Sequence, residues 1–166
     1  MARAIHLLRH ADAGERADWS GPDFERPLST FGASQAALIA SELERRPVAR
    51  LVSSPARRCV ATLEPLAHRL ERPVELAAYL AEGRDPEAVL AHLVEDALGL
   101  AADEELAACS HGDIVPAVIE ELVRCGVDLS GPRSAPKAVT FTLELDDGHV
   151  ARILRVAPPR PRRGRA

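Results

Sequence analysis

Two histidines and two arginines fall where short apolar runs of this chain end. Arg9-His10 closes the run Ala4-Ile5-His6-Leu7-Leu8, and Ser110-His111-Gly112 closes the run 106–109. A third run, 50–53, leads into Ser54-Pro55, with Arg58 about one helical turn further on. Imidazole and guanidinium together suit a phosphoryl group. Its transfer needs positioning and neutralisation of charge on the equatorial oxygens more than elaborate covalent chemistry. Guanidinium offers a planar fork that gives two hydrogen bonds to one phosphate. A neutral imidazole nitrogen is a competent nucleophile near neutral pH. No Gly-rich nucleotide loop or Walker pattern is present, so the expected nucleophile is a side chain rather than a metal-activated water.

For these groups to meet, the intervening elements must return the chain repeatedly to one edge. Residues 4–8 read as a buried strand. Residues 11–28 are polar, hold Gly14, Gly21, Pro22 and Pro27, and predict a long loop of the kind that is usually functional or mobile. Ser29 or Thr30 caps a helix to about residue 45, with Phe31, Ala36, Leu38, Ile39 and Leu43 near helical period. Residues 50–53 form a second strand, and Pro55 suits the first turn of a helix reaching about residue 70. Residues 73–76 give a third strand and 77–84 a loop. Asp85-Pro86-Glu87 starts a helix ending near residue 98. A fourth strand at 106–109 precedes a helix over about 113–124. Residues 138–145 and 149–156 flank Asp146-Asp147-Gly148, a hairpin signal.

Strands alternating with helices predict an α/β fold, a three-layer α/β/α sandwich whose central sheet is mostly parallel with an antiparallel edge. Its 166 residues match one domain at about 150 residues each, expected over 1–157, with 158–166 a solvated Pro/Arg-rich tail. In such folds ligands bind beyond the carboxyl ends of the strands. Arg9-His10, Ser53-Ser54 and Ser110-His111 all belong there.

Composition narrows the partners. The net charge is −4, and Arg160, Arg162, Arg163 and Arg165 crowd the last seven residues, so the body is more acidic still. Only 3% of residues are aromatic. An acidic body with few stacking rings is a poor nucleic-acid binder. No apolar run approaches the roughly 18 residues of a membrane span, and the first eight residues are too short for a signal-peptide core. Three cysteines at no metal-like spacing (Cys59, Cys109, Cys125) fit free thiols in a cytoplasmic protein. Lys137 is the only lysine, so each arginine is judged by position rather than type.

Taken singly, each piece has a plainer reading. Ser-His-Gly before a helix also suits a tight turn. His6 and His10 share one face of a strand, but no third ligand lies nearby and His6 fits the core better than a metal site. No Gly-x-Ser-x-Gly elbow surrounds Ser54. His68, His92 and His149 fall on surface positions, and Cys109 in a core strand.

In order, however, the motifs resemble those of the histidine phosphatase superfamily, which includes phosphoglycerate mutases and acid phosphatases. Leu8-Arg9-His10-Ala11 resembles its Arg-His-Gly signature, with Ala11 in place of glycine. The run 26–36, Arg-Pro-Leu-Ser-Thr-Phe-Gly-Ala-Ser-Gln-Ala, resembles its Pro-Leu-Thr-x-x-Gly-x-x-Gln-Ala helix entry. Ser53-Ser54-Pro55-Ala56-Arg57-Arg58 with Thr62 resembles Ser-Ser-Pro-x-x-Arg-Ala-x-Gln-Thr and selects Arg58 over Arg57. Ser110-His111-Gly112 resembles the second-histidine motif. The short form and the Arg-His-Ala-x-Ala start look most like the SixA branch of phosphohistidine phosphatases. Trp19-Ser20-Gly21-Pro22-Asp23 also looks like the histidine phosphatase domain linked to some Nudix hydrolases. A cofactor-dependent mutase fits poorly, because the mutase insertions are missing.

The resemblance implies the histidine phosphatase fold and a phosphatase using no metal and no cofactor. His10 would be the nucleophile, and Arg9, Arg58 and His111 the phosphate pocket. Glu82 would be the proton donor, although a solvated loop carboxylate reads nearly as well. Arg26 would touch either substrate or loop. The implied substrate is a phosphate monoester or phosphoramidate: a phosphohistidine protein or a phosphorylated small molecule. The alternatives are a nucleotide or metabolite phosphatase of the Nudix-linked type and a non-catalytic phosphate-binding domain. Neither membrane nor nucleic acid is an expected partner, and the oligomeric state is open.

Overall fold

Four helices pack on the two faces of a seven-stranded sheet in the computed structural model, which describes residues 3–162. The strands are β1 (Arg3–Arg9), β2 (Val48–Ser53), β3 (Val74–Leu76), β4 (Glu105–Ser110), β5 (Asp128–Ser130), β6 (Thr140–Asp146) and β7 (His149–Val156). The helices are α1 (Thr30–Leu43), α2 (Arg57–Leu70), α3 (Pro86–Leu98) and α4 (Val115–Arg124). The sheet order is β3-β2-β4-β1-β6-β7-β5. Pairings β2/β3, β2/β4, β1/β4 and β5/β7 are parallel, and β1/β6 and β6/β7 are antiparallel. The antiparallel part thus lies on the hairpin side, and the reversed strand itself is β6, inside that side.

Alternation along β1 divides the core. Ile5 and Leu7 join Leu93, Leu106, Val118, Ile119, Phe141 and Leu143 on the α3/α4 face. Leu8 joins Ile39, Leu43, Leu51, Leu63, Leu66 and Ala107 on the α1/α2 face. Side chains of successive strand residues point to opposite faces, so β1, covered on both, has no solvent side.

Local chemistry starts the helices where expected. Ser29 Oγ accepts from the Gly32 amide (3.0 Å) at the start of α1. Asp85 accepts from the Ala88 amide (3.0 Å) at the start of α3, with Pro86 in its first turn. Each side chain satisfies an otherwise orphaned amide. Asp147 and Gly148 both take positive φ (47° and 78°) and close the β6–β7 hairpin, the backbone a two-residue turn demands.

Four expectations are corrected. Phe31 and Leu38 are 49% and 39% exposed and do not line the core; α1 buries only Gly32, Gln35, Ala36, Ile39, Ala40 and Leu43. Pro55 lies outside α2, before its cap residue Ala56. The last helix begins at Val115 rather than 113, because the preceding turn bonds the Ile114 and Val115 amides to the His111 carbonyl. β5 has no counterpart in the sequence reading. Within the expected tail, residues 157–162 carry no regular structure; 163–166 lie outside the described residues.

Candidate active site

β1 and β4 are parallel neighbours with Arg9 paired to Ser110, so the residues that follow, His10 and His111, emerge side by side. The His10 amide donates to the Ser110 carbonyl (3.0 Å), and the Ser54 amide to the Cys109 carbonyl (3.0 Å). These bonds continue the ladder past the strand ends and hold the three exits in register. The two imidazoles meet edge to face, ring centroids 5.7 Å apart. Arg58, the second residue of α2, reaches them from β2. It is 2% exposed, with Nε donating to His10 Nε2 over 3.4 Å and Nη2 3.4 Å from His111 Nδ1. Arg57 is exposed. The adjacent positions differ by about 100° around a helix, and only one faces the cleft.

His10 is 5% exposed. Its Nδ1 lies 2.8 Å from the Ala11 carbonyl. A carbonyl only accepts, so this nitrogen carries the proton and Nε2 keeps its lone pair. Burial chiefly pushes the imidazole pKa down, to about 3, and the charges of Arg58, His111 and Arg9 push the same way, against the Ala11 hydrogen bond. Near neutral pH the ring is therefore an uncharged base with Nε2 turned to Arg58. His111 is fixed by Ser54 Oγ, 2.7 Å from its Nε2.

Glu82 sits in the loop between β3 and α3, its Oε1 3.0 Å from Arg58 Nη2 and 3.4 Å from His111 Nδ1. Arg9 lines the same cleft. One of its guanidinium nitrogens, Nη1, donates to the Ala135 carbonyl (2.8 Å); Nε is buried with no partner among the described residues. Burial lowers the Arg9 pKa from its ordinary value. Arg26 closes the long loop on itself. Its Nη1 donates to the Ala13 and Gly14 carbonyls (2.9 and 3.1 Å) and its Nε to Asp23 Oδ1 (2.9 Å). Of the two roles expected for it, the loop contact is the one seen. All six expected residues therefore meet around one cleft of about 450 Å³, which Arg9, His10, Arg26, Arg58 and Glu82 line directly and which His111 backs through Arg58 and Glu82.

The supporting motif residues have physical tasks. A Cβ on Gly32 would meet the Asp12 carbonyl oxygen at 1.8 Å, and one on Gly112 would meet the Arg9 guanidinium at 2.7 Å. Gln35 Oε1 accepts from the Asp12 amide (3.0 Å). Thr62 Oγ1 accepts from the Ala11 amide (3.0 Å) and donates to the Arg58 carbonyl (2.7 Å), tying both flanks together.

The sequence reading gives no site role to Arg16, Asp23 and Lys137, which line the cleft, or to Ser54, which holds His111. Asp23 stood inside the Trp-x-Gly-x-Asp pattern without a role. Lys137 arrives because β6 runs against β1, bringing the segment before β6 beside His10; the Ala138 amide donates to the His10 carbonyl (3.0 Å). Its Nζ pairs with Asp12 Oδ1 at 3.0 Å.

A convergent cluster of two imidazoles and several guanidiniums at the carboxyl ends of a mostly parallel sheet has the chemistry to hold a phosphoryl group. Residues 5–85 match the model of the histidine phosphatase superfamily (branch 1). An 8-oxo-(d)GTP phosphatase of Mycolicibacterium smegmatis is 29% identical over 95% of this chain. The chain spans about half (49%) of that relative's length. The fold is shared with the protein histidine phosphatase SixA complexed with tungstate (TM-score 0.70, 24% identity, 93% of this chain and 94% of that one). It is also shared with a mycobacterial glucosyl-3-phosphoglycerate phosphatase in complex with inorganic phosphate (TM-score 0.63, 19% identity, 94% and 96%).

Proposed function

We propose that the chain is a metal-independent phosphatase that passes the phosphoryl group through His10. The observation that carries this reading is the state of the His10 ring: neutral, its Nδ1 fixed by the Ala11 carbonyl, its Nε2 turned to Arg58. The lone pair of Nε2 attacks phosphorus while the bond to the leaving group breaks. Arg9, Arg58 and His111 hold the equatorial oxygens and offset their charge. Glu82, in its protonated form, gives its proton to the leaving oxygen. Water then attacks the phosphohistidine, surrenders a proton to Glu82, and releases inorganic phosphate and the free imidazole.

The substrate is a phosphate monoester or a phosphoramidate. A phosphohistidine leaving group is an imidazole, which needs little protonation help. A nucleotide-related phosphate is the second reading, favoured by the relative named as an 8-oxo-(d)GTP phosphatase. Brief exposure to labelled substrate followed by quenching tests the mechanism. The expected label is acid-labile, forms in the presence of a chelator, and is absent from His10→Ala together with turnover. Acid-stable label, or label persisting in His10→Ala, contradicts it.

A further inference from the structure

Every guanidinium nitrogen of Arg58 already faces a partner. Its Nε faces His10 Nε2 (3.4 Å) and its Nη1 donates to the Asp23 carbonyl (2.8 Å). Its Nη2 meets Asp23 Oδ2 at 3.1 Å, Glu82 Oε1 at 3.0 Å and His111 Nδ1 at 3.4 Å. A phosphate that engages Nη2 must take the place of Asp23, Glu82 or His111 there. The two imidazoles are fixed at strand ends, whereas Asp23 belongs to a short helical turn, Asp23–Glu25, that buries none of its residues.

Asp23 also gathers the other cations of the loop. Oδ2 lies 2.9 Å from Arg16 Nη2, and Oδ1 2.9 Å from Arg26 Nε. Burial pushes the Asp23 pKa up, but the Arg16 and Arg26 hydrogen bonds and the charges of Arg58 and Arg26 outweigh it, to about 2. It is thus an anion throughout the working pH range and no proton donor. One carboxylate, held by three guanidiniums beside the nucleophile, sits where an external anion would bind.

We propose that Asp23 is a built-in competitor for the phosphate site, a carboxylate that the substrate phosphoryl group displaces from Arg58, releasing the loop that carries it. This rests on the reading of Arg58 as a phosphate-binding residue. A phosphate group brings about −1.5 to −2 charge and three strong acceptor oxygens, against the single charge of the carboxylate, so the exchange favours the ligand. Displacement leaves Arg16 and Arg26 without their shared partner and frees the segment between Gly14 and Arg26. Asp23 thereby sets how strongly substrate binds, through Arg58, without taking part in bond making.

The test is binding of inorganic phosphate to the full chain, by calorimetry and by emission of Trp19, the only tryptophan. The Trp19 ring donates from Nε1 to the Pro22 carbonyl next to Asp23 (3.1 Å) and so reports on the loop. Asp23→Asn keeps the shape and removes the charge. It is expected to bind phosphate about tenfold more tightly, equivalent to about 1.4 kcal/mol, and phosphate is expected to change Trp19 emission in the unmodified chain. Asp23→Ala should shift the affinity the same way, which guards against an effect peculiar to Asn. Unchanged or weaker binding in both variants overturns the proposal, because Asp23 would then be orienting Arg58. Phosphate binding with constant Trp19 emission overturns it too. Arg58→Ala separates the two levels: if it binds phosphate as well as the unmodified chain, the reading of Arg58 itself fails, whatever Asp23 does.

Discussion

Two buried histidines four residues apart, His6 within β1 and His10 just past its end, have opposite surroundings. His6 has both ring nitrogens occupied, Nδ1 by Thr142 Oγ1 (3.0 Å) and Nε2 by Glu105 Oε2 (2.7 Å). Arg46 Nε donates to the same carboxylate oxygen (2.9 Å). Burial raises the Glu105 pKa, but the His6 and Arg46 hydrogen bonds prevail and lower it. His10, at the carboxyl end, has one nitrogen fixed and the other turned to guanidinium rather than carboxylate. A buried histidine next to an acid with every lone pair and proton engaged is a girder. One among cations, its remaining lone pair met only by a long contact from Arg58 Nε (3.4 Å), is placed to act as a reagent in the proposed mechanism. The residue type is the same; the position along the strand and the neighbours it brings differ.

The contrast predicts large effects at the His10 end and small ones at the other. In the proposed mechanism Glu82→Gln slows alkyl phosphate hydrolysis by about 10²–10⁴, the usual worth of a general acid. It slows nitrophenyl phosphate far less, because nitrophenolate leaves without a proton. The ratio of the kcat/KM losses on the two substrates measures this, and equal or negligible losses would reduce Glu82 to a loop carboxylate. Arg58→Ala costs about 2–4 kcal/mol of transition-state stabilisation, by analogy with loss of one preorganised donor. Arg57→Ala, one position away and exposed, leaves kcat/KM unchanged; equal losses at both would break the assignment. At the other end, His6→Ala lowers unfolding free energy by about 2–3 kcal/mol, typical for lost hydrogen bonds to a charged group. It leaves kcat/KM unaltered where the variant is folded. A denaturant titration paired with kinetics on that variant decides whether the two histidines are as different as their neighbours suggest.

Much of this was legible in the amino-acid order because it depends on local chemistry. Apolar runs gave the four main parallel strands, Ser29 and Asp85 gave two helix starts, and Asp147-Gly148 gave the hairpin. The quartet Arg9, His10, Arg58 and His111 was readable because Arg9, His10 and His111 stand at strand ends, where parallel pairing puts neighbours together, and Arg58 opens the helix after a third such end. What escaped depends on packing between distant segments. The polar loop 11–28 shows no periodicity, so nothing local says that Asp23 turns back onto Arg58. Lys137 is placed by antiparallel pairing of β6 with β1, which the hairpin signal left undetermined. Phe31 and Leu38 matched helical period, but the covered stripe of α1 is narrower than its apolar content. β5 is three residues long, too short for an alternation to register.

The long loop is joined at its two ends by backbone contacts and held in between through Asp23 on Arg58. The Ser29 amide donates to the Asp12 carbonyl (2.9 Å), and Gly32 lets the helix backbone press against that same residue. Its ends are thus joined before any of the intervening sequence is specified. Closing a flexible loop costs only about 0.6 kcal/mol more for each doubling of its length. The stretch between those two fastenings is therefore an interchangeable cassette. A change of length there is expected to reshape the rim of the cleft while the strand ends bearing the histidines stay as they are.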